Sequence, residues 1–218
     1  PLYVALTVGQ ENYMNLGDNF VQEGLVNRIT PFTTNVEGAR NYDTERVYNN
    51  VMKRFKFGGL DKKGLYLDET VSRMCYTHKR LFAGLALNLI AEGQTAKAKK
   101  VLAYMNKVMP EYNVPTSYLS GGLDIIRCYA QLGMKQEALR IVGSMWKNCQ
   151  QYMRWYMSLD ANRFSQAQRD CLYQIYVMRS LIDLTETVDT AQADKMVKQL
   201  SATVYAYQNK GGIIPDEF

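Results

Sequence analysis

Between residues 81 and 145, apolar positions recur every three or four residues, which predicts amphipathic helices. The apolar positions are Phe82, Leu85, Ala86, Leu89, Ala98, Leu102 and Met105 in a first stretch, and Ile125, Ile126, Tyr129, Ala138, Val142 and Met145 in a second. A glycine interrupts each stretch, at Gly93 and at Gly133, and an alanine follows it five residues later, at Ala98 and at Ala138. Both pairs are 40 residues apart, so the same helix-turn-helix pattern occurs twice in register. Such a period is typical of stacked α-hairpins, in which each hairpin buries its apolar face against a neighbour.

Three predicted hairpins account for most of the chain. Their helices are predicted at residues 69–91 and 94–109, at 117–132 and 135–159, and at 164–188 and 190–209. Residues 110–115 separate the first hairpin from the second, because they contain two prolines and proline cannot continue a helix. These six residues and the roughly 34 of a tetratricopeptide unit add up to the observed spacing of 40. The third turn, at residues 187–190, lacks the glycine, as an atypical terminal repeat does.

The N-terminal part of the chain has a different pattern. Residues 2–8 and 25–32 are rich in β-branched and apolar residues and are predicted strands, residues 11–24 are polar and turn-rich, and residues 33–41 are a predicted loop. Asp43 or Thr44 is expected to cap a helix that continues to Phe55, and Gly58 and Gly59 end it.

The predicted fold is therefore mainly α, with tetratricopeptide-like antiparallel helical hairpins in an α–α superhelix and a small N-terminal α+β segment. The predicted divisions are the α+β segment and connector loop at residues 1–68, the hairpin repeat domain at 69–210 and a C-terminal tail at 211–218. Ala98 and Ala138 are expected to be buried where two helices approach most closely. Since the chain opens directly on a predicted strand, we expect it to be a piece of a longer protein whose upstream part is missing.

Composition is that of an ordinary soluble globular protein, with 47% apolar and 22% charged residues among 218. The longest nearly uninterrupted apolar stretch, at residues 81–91, is 11 residues long and includes Asn88. A membrane-spanning helix needs about 20 apolar residues, so no span is predicted.

The net charge of +5 reflects basic residues concentrated in the first half of the sequence. They include Lys53, Arg54, Lys56, Lys62, Lys63, Lys79, Arg80, Lys97, Lys99 and Lys100. A basic face can bind the phosphates of nucleic acid or of anionic lipid headgroups. The alternative is a solvated helix surface, which we favour because carboxylates are interspersed among the lysines. We accordingly predict no nucleic-acid partner.

No motif of nucleotide, zinc-protease or serine-hydrolase chemistry is present in the sequence. The four cysteines, Cys75, Cys128, Cys149 and Cys171, are far apart and lie in predicted helices, which favours small apolar core residues over a zinc site. Pairing among them in an oxidising compartment stays open. His78, the single histidine, has no partner in the sequence.

Three carboxylate pairs offer the two acids that a glycosidase needs. They are Asp68 with Glu69, Asp183 with Glu186, and Asp216 with Glu217. Such pairs are also common on solvated helices and at helix N-termini, where the helix dipole favours negative charge. We predict no catalytic residue, no cofactor-binding residue, no metal ligand and no cofactor.

Residues 55–69 form the least repetitive stretch, and they combine glycines, lysines, aromatic residues and Asp61. A loop of this kind on a rigid scaffold often contains binding residues. The alternative is a connector whose aromatic side chains pack under the first hairpin. A second candidate is the aromatic series Trp146, Tyr152, Trp155 and Tyr156, for which helical spacing favours packing over ligand stacking.

Four stretches together resemble one known family. They are residues 1–16 (PLYVALTVGQENYMNL), 20–32 (FVQEGLVNRITPF), 51–69 (VMKRFKFGGLDKKGLYLDE) with Arg73 and Met74, and 109–115 (MPEYNVP). They resemble the soluble C-terminal region of the multi-pass membrane proteins of Bacteroidetes known as the DUF2723 family, which is related to transmembrane protein O-mannosyltransferases.

In that family the membrane-embedded N-terminal part resembles GT-C glycosyltransferases, with acidic catalytic residues in an early loop that faces away from the cytoplasm. The resemblance implies that this chain is an accessory domain, tethered to a polyprenyl-phosphate-sugar-dependent transferase on the periplasmic side of the inner membrane. Its implied partner is the membrane-embedded N-terminal region of its own parent protein, and membrane contact is implied only through that upstream part. Gly58, Gly59, Asp61, Tyr66, Asp68 and Arg73 match the recurrent motif of the family. With Lys62 and Lys63 from the same loop, they are structural or interface candidates.

Two functional hypotheses follow. The first is a non-catalytic binding module, in which the hairpins and the loop at residues 55–69 bind an acceptor polypeptide or brace the membrane part. The second is a stand-alone helical enzyme that acts on glycans through two of the paired carboxylates.

Overall fold

The structure is a computed structural model that describes residues 1–33 and 42–215 of the chain. Within these residues the chain is mainly α-helical with a small sheet near the N-terminus, which confirms the predicted fold class. Two compact units, Pro1–Pro115 and Thr116–Phe218, are each defined by their own internal contacts. Their boundary lies at the end of residues 110–115, the insertion that separates the first two predicted hairpins, and within the stretch at 69–210 that the sequence predicts as one hairpin domain. None of the described helices combines the length and apolarity required to cross a bilayer.

Three short antiparallel strands form the N-terminal sheet. They are β1 (Tyr3–Ala5), β2 (Phe20–Gln22) and β3 (Val26–Ile29), in the order β1-β3-β2. The sequence predicts β1 and β3, although both are shorter than expected, and predicts only turns where β2 lies. A strand of three residues is too short to show an alternating pattern in the sequence, which is why β2 is missed. Phe20, the first residue of β2, is buried and packs edge-on against Tyr13, with ring centroids 4.9 Å apart. The predicted loop at residues 33–41 lies, apart from Thr33, outside the described residues.

The first helix, α1 (Thr44–Asn49), begins after Asp43. The Asp43 carboxylate accepts a hydrogen bond from the backbone amide of Arg46 at 3.0 Å, so Asp43 is the predicted cap. A π-helical turn (Asn50–Arg54) continues α1, and the helical segment therefore stops at Phe55, close to the predicted end.

Glu23, in the turn between β2 and β3, joins the sheet to α1. Its buried carboxylate accepts hydrogen bonds from Arg28 Nε at 2.6 Å and from Arg46 Nη1 at 2.8 Å. Burial acts to raise the pKa of Glu23, but the two arginines together outweigh it and lower the pKa below its ordinary value. The ionised carboxylate is therefore the form that binds the sheet to the helix.

Two long helices, α2 (Glu69–Ala91) and α3 (Thr95–Val108), pack against each other as the predicted first hairpin. The turn between them contains Gly93 in the left-handed conformation, with φ of 74°. The amides of Gly93 and Gln94 donate to the carbonyls of Ile90 and Leu89, which is the Schellman arrangement. The recurring glycine is thus required by the backbone conformation at the end of α2.

The second unit contains four α-helices within the described residues. They are α4 (Gly122–Gln131), α5 (Lys135–Ser158), α6 (Ala161–Glu186) and α7 (Thr190–Asn209), and each packs against the next. A short 3-10 turn (Tyr118–Ser120) precedes α4, so this helix begins later than the predicted residue 117. Asp160 caps α6 and Asp189 caps α7.

The turn between α4 and α5 has the same geometry as the turn between α2 and α3. Gly133 is left-handed with φ of 70°. The amides of Gly133 and Met134 donate to the carbonyls of Ala130 and Tyr129, which lie 40 residues after the acceptors of the first turn. Ala98 and Ala138 are both fully buried, as the sequence predicts. The assignment of the hairpins to the tetratricopeptide class stays a prediction.

Candidate functional site

The candidate site is built by the loop between the π-helical turn and α2, at residues 55–68, which the sequence singles out for binding. Gly58 and Gly59 have φ of 61° and 81°, so two consecutive residues adopt the left-handed conformation that glycine tolerates best. The Leu60 amide donates to the carbonyl of Phe57 at 3.1 Å, so the two glycines form a turn, and residues of the loop and of α2 line one groove. Gly58 and Gly59, which the sequence predicts to end the helix, therefore also determine the conformation of the loop.

Two side chains of the insertion at residues 110–115 fix the loop in place. Asn113 donates from Nδ2 to the carbonyl of Leu60 at 2.7 Å and to the carbonyl of Lys62 at 2.6 Å. The Tyr112 hydroxyl donates to the carbonyl of Asp61, which lies between them. Three consecutive loop carbonyls are thus satisfied by a segment about fifty residues away in sequence. A loop with these bonds presents its side chains from a defined backbone.

Lys79 fixes the insertion in turn. Its side chain is completely buried, and Nζ donates to the carbonyl of Val114 and to Oε1 of Glu111, the latter at 3.1 Å. The sequence-based interpretation of Lys79 as part of a solvated basic surface is therefore wrong. Lys79 lies four residues after buried Cys75 and three before buried Phe82, so the helical period already places it on the apolar face of α2.

An apolar groove of about 420 Å³ lies between this loop and α2. It is lined by Lys56, Phe57, Gly58, Leu60, Leu65, Leu67, Val71, Met74, Cys75 and His78. Leu65, Val71 and Met74 are exposed in the groove, and half of the Met74 surface is accessible to solvent. Tyr66, at the tip of the loop, is 91% exposed. The groove therefore presents apolar surface to solvent in a concave setting, as ligand and peptide sites commonly do.

Besides the two glycines, the sequence predicts six interface residues, and these have different roles in the structure. They are Asp61, Lys62, Lys63, Tyr66, Asp68 and Arg73. Asp61, Lys62 and Tyr66 have exposed side chains in the loop, while the backbone carbonyls of Asp61 and Lys62 bind the insertion. Lys63 Nζ lies 5.9 Å from the centre of the Tyr112 ring, within reach of a cation–π contact.

The other two predicted residues stabilise the start of α2. The Asp68 carboxylate accepts a hydrogen bond from the backbone amide of Val71 at 2.8 Å and is the cap of the helix. Arg73 pairs with Glu69 one turn earlier, with Nη2 and Oε1 2.6 Å apart. The first of the three carboxylate pairs is thus engaged in local helix contacts.

The sequence analysis missed the helical wall of the groove. Val71, Met74, Cys75 and His78 occupy positions i, i+3, i+4 and i+7, which is the pattern of a common helix face. His78 Nδ1 lies 2.8 Å from the carbonyl of Met74, and the ring meets Phe57 edge-on at 6.1 Å between centroids. The spacing marks an apolar face, but a buried face and a groove wall give the same pattern in sequence.

The remaining candidates for chemistry are dispersed. Asp183 and Glu186 are exposed on α6, and Asp216 and Glu217 lie outside the described residues. Among residues 1–33 and 42–215, no three His, Cys, Asp or Glu side chains come together in a way that suits a metal ion.

The four cysteines are buried, and none of them forms a disulfide. Burial raises the pKa of Cys75, and it raises the pKa of Cys128 and Cys149 to about 12 and that of Cys171 to about 11. The four thiols are therefore protonated near neutral pH, which agrees with their predicted role as small core residues.

The aromatic series of the second unit is divided between core and surface. Trp146 and Tyr156 are buried, and Trp146 Nε1 donates to Gln199 Oε1 at 2.8 Å. Tyr152 and Trp155 are about half exposed, and each contacts the ring of Tyr156. Packing, which helical spacing favours, accounts for the first pair.

Comparison with known proteins gives one similarity. No curated protein and no solved structure matches the chain. Residues 1–50 match the family described as TMEM260-associated domain 2. The matched stretch contains the sheet, α1 and the Glu23 ion pairs, and it ends just before the groove. Over less than a quarter of its length, the chain is thus similar to TMEM260-associated domain 2.

Proposed function

We propose that this chain is a non-catalytic binding domain of a membrane-embedded glycosyltransferase, and that its groove binds a polypeptide segment. The segment belongs to an acceptor polypeptide or to the membrane-embedded part of the same parent protein. The proposed parent is supported by the resemblance of four stretches to the soluble region of DUF2723-family proteins. The match of residues 1–50 to TMEM260-associated domain 2 covers the sheet and α1 and adds no information on activity.

The observation on which the binding role rests is the preorganised loop beside the apolar groove. Because Asn113 and Tyr112 fix three carbonyls of the loop, a ligand that enters the groove has little loop backbone to order. Apolar side chains such as Met74 and Leu65 are already exposed there, so contact with a ligand removes apolar surface from water. These two properties favour affinity without any conformational change.

The chemistry of the groove also supports binding over catalysis. Cys75 and His78 both line the groove, but burial raises the pKa of the Cys75 thiol and keeps it protonated. Asp68, the carboxylate at the start of α2, is used as a helix cap. A catalytic site requires an acid, base or nucleophile whose reactive form is favoured. The Cys75 thiol and the Asp68 carboxylate do not meet this requirement.

The complete reading frame provides the first test. We expect several long apolar spans upstream of Pro1, and a topology that puts this domain on the periplasmic side of the inner membrane. A signal peptide directly before Pro1, with no spans, would contradict the proposed parent and would favour the stand-alone glycan-active enzyme.

The direct test uses membranes that contain the full-length parent protein. Met74→Lys introduces a charge into the groove, and we expect it to reduce glycosyl transfer about tenfold or more, since a hot-spot contact is lost. Val197→Lys is the matched control, because Val197 is similarly exposed on α7. The double variant Tyr66→Ala with Asp61→Ala tests the loop tip in the same assay.

Normal transfer by both groove and loop variants, at normal protein levels, would exclude this site from the function. Glycosyl transfer or sugar release by the purified 218-residue chain alone would show that it is an enzyme.

A further inference from the structure

We propose that the occupant of the groove is an acidic polypeptide segment, with an apolar side chain that enters the groove between flanking carboxylates. This inference rests on the proposed function and adds the chemistry of the partner. It follows from the distribution of charge around the groove and from the shape of the groove.

The positive charge of the chain is concentrated where the groove lies. Residues 53–80, which include the loop and the first half of α2, contain eight Lys and Arg against three Asp and Glu. Lys79 is buried and paired with Glu111, so it adds nothing to the surface, and the other seven cations leave this segment with a net charge of +4. The whole chain has a formal net charge of +5, so most of its excess positive charge lies in this segment. A long-range field of this sign attracts acidic ligands and accelerates their association.

The loop lysines are available to a partner. In the part of the chain that the structure describes, Lys56, Lys62 and Lys63 form no ion pair with a carboxylate. Lys56 lines the groove directly, and Lys62 and Lys63 are exposed in the loop that forms its wall.

Two of the three nearby carboxylates are already used. Asp68 caps α2, and Glu69 pairs with Arg73, so neither neutralises the loop lysines. Asp61 is the remaining acid of the loop. The surface next to the groove is therefore predominantly cationic, and a partner with carboxylates at matching positions gains charge-assisted contacts.

The shape of the site favours a polypeptide over a lipid surface. A cavity of about 420 Å³ with apolar walls accommodates protruding apolar side chains, and peptide anchors of this kind usually enter such hydrophobic grooves. A bilayer surface is nearly flat on this scale, and it contacts the protruding Tyr66 without filling the groove. The basic and apolar character is shared with membrane-binding surfaces, so binding to anionic lipid is the alternative that the experiment must exclude.

The test is a selection of peptides from a random displayed library on the immobilised 218-residue chain. We expect the enriched peptides to combine an apolar residue with Asp or Glu on either side, and to lose binding to the Met74→Lys variant. Binding is then measured by fluorescence anisotropy at low and high salt, and we expect it to weaken as salt rises.

A charge-reversal pair provides the matched control. Lys56→Glu with Lys62→Glu is expected to weaken binding of the acidic peptides about tenfold, since each rim charge has a modest effect. Lys99→Glu with Lys100→Glu changes the net charge equally at exposed positions of α3 and is expected to leave binding unchanged. Circular dichroism checks that both variants fold as the original chain does.

The outcomes separate this inference from the proposed function. Neutral or basic peptides that bind in a Met74-dependent way would overturn the acidic partner but leave a polypeptide-binding groove. A failure to enrich any Met74-dependent peptide would overturn both. Sedimentation with phosphatidylglycerol vesicles but not with phosphatidylcholine vesicles, in the absence of such peptides, would assign the cations to a lipid surface and would also overturn the inference.

Discussion

Replacement of Lys79 by methionine is the most informative perturbation of the groove that leaves the groove walls untouched. Lys79 does not line the groove, but it binds the insertion, and the insertion binds the loop. Methionine has a similar length and keeps most of the buried aliphatic contacts, so Lys79→Met removes the ammonium group with little change in packing.

The expected loss of stability is about 1–3 kcal/mol, and the carbonyl of Val114 accounts for most of it. Val114 is buried, and a buried acceptor that loses its donor costs about 1–3 kcal/mol. Glu111 also loses a cation, but its side chain is about one third exposed and water compensates for much of that loss. The variant in turn avoids the desolvation of a buried ammonium, which offsets part of the cost.

The assay has to report on the first unit. Both tryptophans, Trp146 and Trp155, belong to the second unit, so we would follow urea unfolding by circular dichroism rather than by intrinsic fluorescence. Hydrogen exchange resolves the local effect, and we expect faster exchange of the Lys62 and Val114 amides, which donate to Gly59 and Pro110.

Lys100→Met is the matched control, because Lys100 is exposed on α3 and has the same charge. Equal stability of the Lys79→Met and Lys100→Met variants, with unchanged exchange in the loop and the insertion, would refute the view that Lys79 fixes this part of the structure.

Other predictions concern the scaffold. Ala98→Leu and Ala138→Leu each overpack a fully buried contact and are expected to lower stability by about 1–3 kcal/mol in urea unfolding; unchanged stability of both would contradict the close helix approach. Glu23→Gln is expected to cost about 1–3 kcal/mol at neutral pH. The pKa of Glu23 is lowered in the folded state, so its carboxylate contributes its full stabilisation above pH 4.5. This contribution disappears as the pH falls through the lowered pKa. An acid-unfolding profile of Glu23→Gln that matches that of the original chain would contradict this. Gly93→Ala is expected to destabilise the fold by about 1–2 kcal/mol, because the backbone of Gly93 is left-handed. Gly84→Ala, inside α2, is expected to stabilise the fold by about 0.5–1 kcal/mol. Melting temperatures of the two variants that shift in the same direction would contradict the different roles of these glycines.

The helices of this chain follow from local signals in the sequence. The bounds of α2 and α7 agree with the predicted ones. Both helices begin after an aspartate cap, Asp68 or Asp189, and both end two residues before a left-handed glycine, Gly93 or Gly211. Gly93 and Gly133 show why the 40-residue register is reliable, since each must adopt a left-handed conformation that other residues avoid. Local chemistry of this kind can be recognised without knowledge of tertiary contacts.

The strand β2 and the groove depend on contacts between distant residues, and the sequence predicts them poorly. A three-residue strand is defined by its pairing with β3 rather than by any period of its own. For the loop at residues 55–69 the sequence leaves open binding residues or aromatic side chains packed under the first hairpin, and the structure contains both kinds of side chain. Phe57 packs against Phe82 and Tyr104, whereas Tyr66 is exposed. Nothing in the composition indicates that α2 forms the opposite wall of a groove. Lys79 is the clearest case. A lysine is usually exposed, and only the position of Lys79 on the apolar face of α2 indicates that its side chain is buried.

The six residues of the insertion have a second role besides separating two hairpins. If the hairpins are tetratricopeptide-like, as the sequence predicts, these six residues make up the difference between the 40-residue spacing and a unit of about 34. In the structure Tyr112 and Asn113 bind three consecutive carbonyls of the loop, and Glu111 and Val114 bind the buried ammonium of Lys79. A spacer has no need of five such hydrogen bonds, since proline alone ends α3. The segment that departs from the predicted repeat is therefore the one that fixes the loop beside the groove. Variants at Asn113 and Lys79 test the groove without altering any residue that lines it.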